Sequence, residues 1–245
     1  MFSALAGGRV EDVGHLLDGG AEINETDRDG HTPLFVASRE GHAAVAVLLL
    51  ARGADVDKAT KNDATPLFIA SQNGHAALAA LLLDRGADVD KADKNDVTPL
   101  LIASQNGHAA IATLLLDRGA DVDKALEDGA TPLFVASQNG HAAVIELLLA
   151  GADVDKATRD GWTPLHIASQ DGSATIAELL LDRGANFNST MSGGSTPLQI
   201  AQRKGHKDVA WLIHGHIRAY MLDCFRATLP SELIELVTAF AFAGH

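Results

Sequence analysis

Histidine directly follows glycine at five positions of this chain, at intervals of 33, 33, 33 and 65 residues: His42, His75, His108, His141 and His206. Imidazole nitrogens are frequent zinc ligands and lie about 2 Å from the metal. Equivalent residues of neighbouring helical units are separated by about 8–10 Å, the distance between packed helices. Two of these rings therefore cannot share one metal ion, and the spacing predicts a structural role in a turn.

Two other segments carry residue types that bind metals or react as nucleophiles. The acidic loop 88–96 has the oxygen groups of a calcium site, but it lacks the mid-loop glycine and terminal glutamate of a calcium loop. His214 and His216 lie two residues apart, and such positions do not face each other on a helix. A lone cysteine such as Cys224 is more often a packed residue than a ligand. Neither segment predicts a metal site.

No group of residues has the arrangement of a catalytic site. Serine, histidine and aspartate are abundant, but they occupy equivalent positions in successive segments. An enzyme instead needs groups from different elements that converge on one asymmetric pocket. We therefore predict that the protein is not an enzyme and that it uses no cofactor and no metal ion.

Composition narrows the function further. The 245 residues include 32 acidic and 19 basic side chains, a formal net charge of −13, which disfavours binding to nucleic acids and anionic membranes. The longest apolar run, 43–51, is far shorter than the ~20 residues that cross a bilayer. No secretory signal is visible at the N-terminus, and a single cysteine fits a reducing compartment. We expect a cytoplasmic or nuclear protein.

An internal repeat determines the expected architecture. Successive copies of Thr-Pro-Leu are 33, 33, 33, 32 and 33 residues apart, beginning at Thr32, Thr65, Thr98, Thr131, Thr163 and Thr196. The short interval results from one residue missing between Leu149 and Gly151, at the end of a predicted helix, where the loss should be tolerated. A unit this small cannot bury its own apolar face, so several units must stack to form a core.

Each unit has the pattern of two short helices joined by a turn. In the first full unit the Thr32 hydroxyl is placed to cap the first helix, and Pro33 fits its first turn. Gly41 can end that helix in a left-handed conformation. The second helix, from 43 to about 51, is apolar on nearly all sides, so we expect it to be buried between neighbouring units.

These features resemble the ankyrin-repeat family, whose unit of about 33 residues opens with Thr-Pro-Leu-His, contains Gly-His and ends with Gly-Ala-Asp-Val-Asn. In this chain the opening histidine is present only as His166, and aspartate mostly replaces the final asparagine, as at Asp57. The resemblance implies an all-α ankyrin-repeat solenoid of about seven helix-turn-helix units, with β-hairpin-like loops and a helical C-terminal cap. The implied segments are a degenerate capping repeat, six ankyrin repeats and a helical tail, at 1–28, 29–61, 62–94, 95–127, 128–159, 160–192, 193–225 and 226–245.

The resemblance also implies a function: a monomeric, non-catalytic scaffold that binds proteins or extended peptides through its loop tips and the exposed edge of its first helices. Nucleic acid and membrane are not expected partners. The implied binding positions in this sequence are Arg28, Asp29, His31, Arg39, Glu40, Lys61, Asn62, Gln72, Asn73, Lys94, Asn95, Val97, Gln105, Asn106, Glu127, Asp128, Gln138, Asn139, Arg159, Asp160, Trp162, Gln170 and Asp171.

Trp162 is the strongest single candidate in that set, because an exposed aromatic residue at a loop tip is typical of binding hot spots. The alternative is that it packs on a neighbouring loop. A second ambiguity concerns the repeated Gln-Asn pairs, such as Gln72 and Asn73. They either bind a repetitive polar partner or were copied by duplication, since segments 62–94 and 95–127 differ at only six positions.

The C-terminal tail departs from the repeat. Apolar residues recur at helical spacing over 207–226, and Pro230 begins a further amphipathic segment. That segment can cap the exposed end of the stack. Alternatively, it resembles the first helix of an F-box, which implies a Skp-type adaptor as partner and a role in substrate recognition for a cullin-type ubiquitin ligase. The candidate adaptor-binding residues are Leu229, Pro230, Leu233, Val237 and Phe240.

Overall fold

The computed structural model describes residues 2–228, apart from the side chains of residue 6 and residues 225–228. This part of the chain is all-helical and has no strand, which confirms the predicted class. The helices are α1 Phe2–Ala6, α2 Val10–Asp18, α3 Pro33–Glu40, α4 Ala43–Ala51, α5 Pro66–Gln72, α6 Ala76–Asp84, α7 Pro99–Gln105, α8 Ala109–Asp117, α9 Pro132–Asn139, α10 Ala142–Leu148, α11 Pro164–Asp171, α12 Ala174–Asp182, α13 Pro197–Lys204 and α14 Lys207–Thr228.

The helices form seven antiparallel pairs that stack into two layers. Each first helix packs on its own second helix and on the first helices of the flanking units, and the second helices form a parallel row behind them. One continuous apolar core runs between the two rows, built largely from leucine and alanine. None of the helices within 2–228 is long and apolar enough to cross a membrane.

The first helix of each full unit begins where its sequence predicts. Thr32 accepts a hydrogen bond through Oγ1 from the backbone nitrogen of Phe35, 3.1 Å away, and Pro33 occupies the first turn. The same cap precedes α5, α7, α9, α11 and α13. Gly41 follows α3 with φ of 78°, the left-handed conformation that glycine adopts without strain.

The second helices are less enclosed than their sequence predicts. In α4 the residues Val45, Ala46 and Leu49 are buried, but Val47 is 45% exposed. Helix α4 does lie between α2 and α6, as predicted, but one of its sides is exposed because the second helices form an outer row with neighbours on only three sides. Helix α10 has seven residues where α4 has nine, which places the one-residue deletion at its C-terminal end as predicted.

The loops between units project as turns that are joined to one another. Single backbone hydrogen bonds connect neighbouring tips, from the nitrogen of Lys61 to the oxygen of Asp29 at 3.2 Å and from that of Lys94 to Asn62 at 3.0 Å. Closer to the core, an Asp57 carboxylate oxygen accepts from the backbone nitrogen of Asp88, 3.1 Å away. Asn24 accepts in the same way from Asp55 at 3.0 Å. Because only an acceptor oxygen is required, aspartate can replace the family asparagine.

Candidate functional site

The recurrent histidines join consecutive units rather than bind a ligand. The Nε2 atoms of His75, His108 and His141 donate to backbone carbonyl oxygens of the preceding unit at 3.0–3.1 Å. Each ring also lies against the glycine that ends the preceding first helix, such as Gly74 beside His108. The column therefore has a structural role between units, a wider one than the predicted turn.

The predicted loop-tip residues lie on one edge of the stack, and most are exposed. Several of them are occupied by contacts within the chain. Lys94 donates to Asn62 Oδ1 at 2.7 Å, and Arg159 lies 3.4 Å from Glu127. The structure thus places the predicted loop-tip residues of successive units next to one another in a row, with mostly polar side chains.

His31 is held in its own loop. Its Nδ1 lies 2.8 Å from Asp27 Oδ2, and its ring stacks on Phe35 with centroids 4.8 Å apart. Burial raises the pKa of Asp27, but hydrogen bonds from the backbone of His31 and Asp29 and from the His31 ring outweigh it and lower that pKa overall. Asp27, Asp29 and His31 could approach one cation, yet the Asp27 oxygens are already used to close the turn.

The repeated Gln-Asn pairs separate into two roles. Asn73 and Asn106 donate through Nδ2 to backbone oxygens of the preceding unit, at 2.9 and 3.0 Å, so these side chains help to hold the stack together. The side-chain amides of Gln105 and Gln138 are exposed and make no hydrogen bond within the described part of the chain. The glutamines are therefore available to a partner, whereas those asparagines are not.

Trp162 is partly packed against the chain and partly exposed. It is half-buried, with its ring edge-on to His166 at a centroid distance of 6.0 Å. It packs against a small apolar cluster that is separate from the main core and includes the buried residues Leu101, Phe134 and Ile167. The exposed part of the ring lines a groove of about 410 Å³ together with Phe134, Ile167 and Gln170.

A second groove continues the first along the row of first helices. It has a volume of about 310 Å³ and is lined by Leu101, Leu126 and Gln138 among others. The two grooves share Asp128 and Phe134. Together they form the candidate site, a trough of mixed polarity with apolar residues at its base, which crosses three units between the loop tips and the exposed edge of the helices.

The apolar floor of this trough was missed by sequence reasoning, which named only Val97 and Trp162 as apolar contacts. Phe134 and Ile167 have the pattern of core residues on a short helix, and only their packing shows that they also form a floor. Leu126 could have been identified from the sequence, because it is apolar where the equivalent positions in the flanking units are the polar residues Asp93 and Thr158.

Comparison with known proteins identifies the architecture. A family model described as "Ankyrin repeats (3 copies)" matches residues 1–93, 81–158 and 151–220. The chain belongs to the ankyrin-repeat family. Its fold is similar to that of the human ASB11 ankyrin repeat domain, with 30% identity, a TM-score of 0.79, and coverage of 88% of this chain and 96% of that chain.

A second similar structure is the ankyrin repeat domain of Bcl-3, described as a unique member of the IkappaB protein family. The identity is 26% and the TM-score 0.77, over 87% of this chain and 96% of that one. A search of curated proteins finds no match. The ankyrin-repeat fold is a non-catalytic interaction fold, and the matches indicate no catalytic family.

The candidate adaptor-binding residues of the F-box-like segment are not part of this site. Leu229, Pro230, Leu233, Val237 and Phe240 lie outside the described residues. Their assignment stays a prediction from the sequence.

Proposed function

We propose that this ankyrin-repeat chain is a non-catalytic interaction module that binds an extended polypeptide segment in the trough between Trp162 and Leu101. The observation that carries this proposal is the groove in which the half-buried ring of Trp162 lies over the largely buried side chains of Phe134 and Ile167, beside Gln170. Aromatic residues in such desolvated pockets supply most of the energy of typical interfaces. Relatives with the same fold support a protein as the partner.

The spacing of the trough suits an extended segment. Packed helices lie about 10 Å apart, and an extended chain rises about 3.3 Å per residue. One unit of the stack therefore corresponds to about three residues of the partner. Gln105, Gln138 and Gln170 can then each meet a backbone amide or carbonyl group, while an apolar side chain enters the groove at Trp162.

The rim of the trough carries both signs of charge. Asp128 and Asp160 lie beside Arg159 at its edge, and all three are exposed. Exposed charges of this kind steer orientation and association rate more than affinity. We expect the bound segment to be selected by its apolar residue and oriented by polar groups on either side.

A peptide-display library selected on the purified chain tests the proposal. Selected peptides should share an aliphatic or aromatic residue, and Trp162→Ala should weaken their binding by about 2 kcal/mol, or about 30-fold. Trp211→Ala is the matched control, because Trp211 is an exposed tryptophan outside the trough. Equal affinity of wild type and Trp162→Ala, with unchanged circular dichroism, would place the binding site elsewhere.

A second proposed role is recruitment of a Skp-type adaptor by the segment from Leu229 to Phe240, supported by its resemblance to an F-box helix. A pull-down with purified adaptor tests it. Wild type should retain the adaptor, and Leu233→Asp should lose it. No retention by either chain would leave peptide binding as the function.

We also propose that the protein acts as a monomer in the cytoplasm or nucleus. Its single cysteine and its net charge of −13 support a reducing location away from anionic surfaces. A fluorescent fusion and sedimentation of the purified chain test these two statements separately.

A further inference from the structure

The loop tip at residues 127–129 differs in charge from the tips of the neighbouring units. The tips 28–30, 61–63, 94–96 and 159–161 each have one basic and one acidic side chain, so the formal charge of each is zero. The tip 127–129 has Glu127 and Asp128 and no basic side chain, which gives it a formal charge of −2. Asp128 lines both grooves of the trough, so this acidic tip lies where the two grooves meet.

The carboxylates beside the trough are exposed and only partly used by the chain itself. Asp128 Oδ1 accepts from the backbone nitrogen of Ala130 at 2.9 Å, and Oδ2 makes no hydrogen bond within the described part of the chain. Asp160, on the next tip, lines the same groove as Asp128, and its carboxylate forms no ion pair with any described residue. The cation between them, Arg159, lies 3.4 Å from Glu127. These three carboxylates and one guanidinium group leave a formal charge of −2 at the edge of the trough.

Two nearly identical repeats differ mainly at this site. Segments 62–94 and 95–127 differ at six positions. Three of the differing residues in the second segment line the second groove of the trough, and a fourth begins the acidic tip: Val97, Leu101, Leu126 and Glu127. Leu126 and Glu127 stand where the first segment has Asp93 and Lys94, so an apolar side chain and a negative charge are introduced together at the trough.

We propose, on the basis of the peptide binding proposed above, that the segment bound in the trough has a lysine or arginine about three residues from the apolar side chain that enters beside Trp162. Trp162 and Asp128 belong to neighbouring units, which lie about 10 Å apart, and an extended chain spans that distance in about three residues. The charges are complementary, because a basic side chain at this place meets a site of net negative charge whose own cation, Arg159, is already paired with Glu127.

A long basic side chain suits the shape of the groove as well as its charge. Leu126 and Asp128 line the same groove, and Leu126 is half-buried. The aliphatic stem of lysine or arginine packs on apolar surface while its charged end stays in water. Such a side chain can therefore lie along Leu126 and reach Asp128. An acidic side chain would instead meet carboxylates, and like charges across an interface oppose binding. The site should select basic segments and reject acidic ones.

A charge-reversed variant tests this specificity in the full chain. A displayed library of random peptides is selected in parallel on wild type and on Glu127→Lys, which has the residue present at the equivalent positions Lys61 and Lys94. Peptides selected on wild type should be enriched in lysine or arginine about three residues from an apolar residue. That enrichment should disappear on Glu127→Lys. Glu178→Lys is the matched control and should keep the enrichment, because it makes the same change of charge at an exposed position of α12, in the row of second helices.

A titration with one peptide selected on wild type measures the contact directly. Replacing the basic residue of the peptide with glutamine should weaken binding about threefold at low salt, and Glu127→Lys should weaken it about tenfold because it adds repulsion. Both effects should shrink at high salt, since the charges are exposed. Glu178→Lys should bind as wild type does.

Two results would overturn the proposal, and they are distinguishable. Peptides that require Trp162, show no basic preference and bind equally well to Glu127→Lys would exclude the basic residue and leave the proposed function in place. Selection of no peptide, or only of peptides that bind Trp162→Ala as well as wild type, would exclude both.

Discussion

The imidazole of His108 lies against Gly74 of the preceding repeat, and its Nε2 donates to the backbone oxygen of Gln72 at 3.1 Å. A Cβ atom at Gly74 would lie 2.9 Å from His108 Cε1. Glycine is therefore favoured at this position for two reasons: the backbone has a left-handed φ of 79°, and the His108 ring occupies the space that a Cβ atom would need. At the equivalent Gly140 no atom lies within 4 Å, because Ser173 replaces the histidine of the following repeat.

Gly74→Ala should destabilise the protein more than Gly140→Ala. Both glycines have φ of 79°, so both substitutions carry a left-handed strain of about 1–2 kcal/mol. Only at Gly74 does the added methyl group collide with an imidazole ring. Urea unfolding followed by circular dichroism should show that Gly74→Ala lowers the free energy of unfolding by about 1 kcal/mol more than Gly140→Ala does. Equal losses would mean that the ring moves aside without cost.

Ser173→His should stabilise the protein. Ser173 has φ −79° and ψ 83°, close to the φ −82° and ψ 72° of His108. The new ring can fill the space at Gly140 and donate to the backbone oxygen of Gln138, for a gain of about 1 kcal/mol. Ser173→Ala is the control and should show no such gain. A lower midpoint of urea unfolding for Ser173→His would contradict the expected fit.

His166 should make stability sensitive to mild acid. Its Nδ1 accepts from the backbone nitrogen of Thr163 at 3.2 Å, and its Nε2 donates to the oxygen of Ser195 at 3.3 Å, so the bound ring is neutral. Burial lowers the pKa of His166 below 6.5. The His166 imidazole therefore binds a proton more tightly in the unfolded chain than in the folded one. The free energy of unfolding should decrease as the pH falls through about 6.5.

His166→Gln isolates this effect. Gln199 forms the same capping box with Thr196 in the last repeat, with Oε1 accepting from the backbone nitrogen at 2.9 Å. Glutamine does not titrate, so the variant should lose less stability than wild type between pH 7 and a pH below 6.5. Thermal melts at a series of pH values measure the difference, and parallel curves for the two chains would count against it.

Asp57→Asn should stabilise the protein modestly at neutral pH. The pKa of Asp57 is raised, mainly because the carboxyl group is partly buried, and the negative charges of Asp88 and Asp55 raise it further. The hydrogen bond from the Asp88 backbone and the positive charge of Lys91 lower the pKa but do not outweigh these effects. Asparagine keeps the acceptor oxygen without the charge. We expect a gain of about 0.5 kcal/mol at pH 7, small because solvent screens the site.

The pH dependence of that gain identifies its cause. A carboxyl group whose pKa is raised by folding destabilises the folded state only while it is ionised. The advantage of Asp57→Asn should therefore shrink as the pH falls through the raised pKa and vanish below the unfolded value of 3.8. Asp57→Ala removes the acceptor as well and should be less stable than wild type at pH 7. A gain that persists in acid would exclude charge as its source.

Local signals made most of the fold predictable. The Thr32 cap, the first-turn Pro33 and the left-handed Gly41 act within a few residues, and the structure shows all three. The repeat spacing then implied stacking, because one unit cannot bury its own face. The exposure of Val47 was not predictable in this way, since a uniformly apolar helix has no pattern that shows which side lacks a neighbour.

The sequence by itself determined the number of repeats and their helices, because caps, turns and periodicity are interactions between residues close in the chain. Only the tertiary structure decided what the repeated side chains contact. It placed His108 on the preceding repeat, used Asn106 to hold the stack and left Gln105 free. It also joined Leu101, Phe134 and Ile167 into one trough floor. These are contacts between residues about 33 positions apart, and each depends on how one repeat is rotated and spaced against the next.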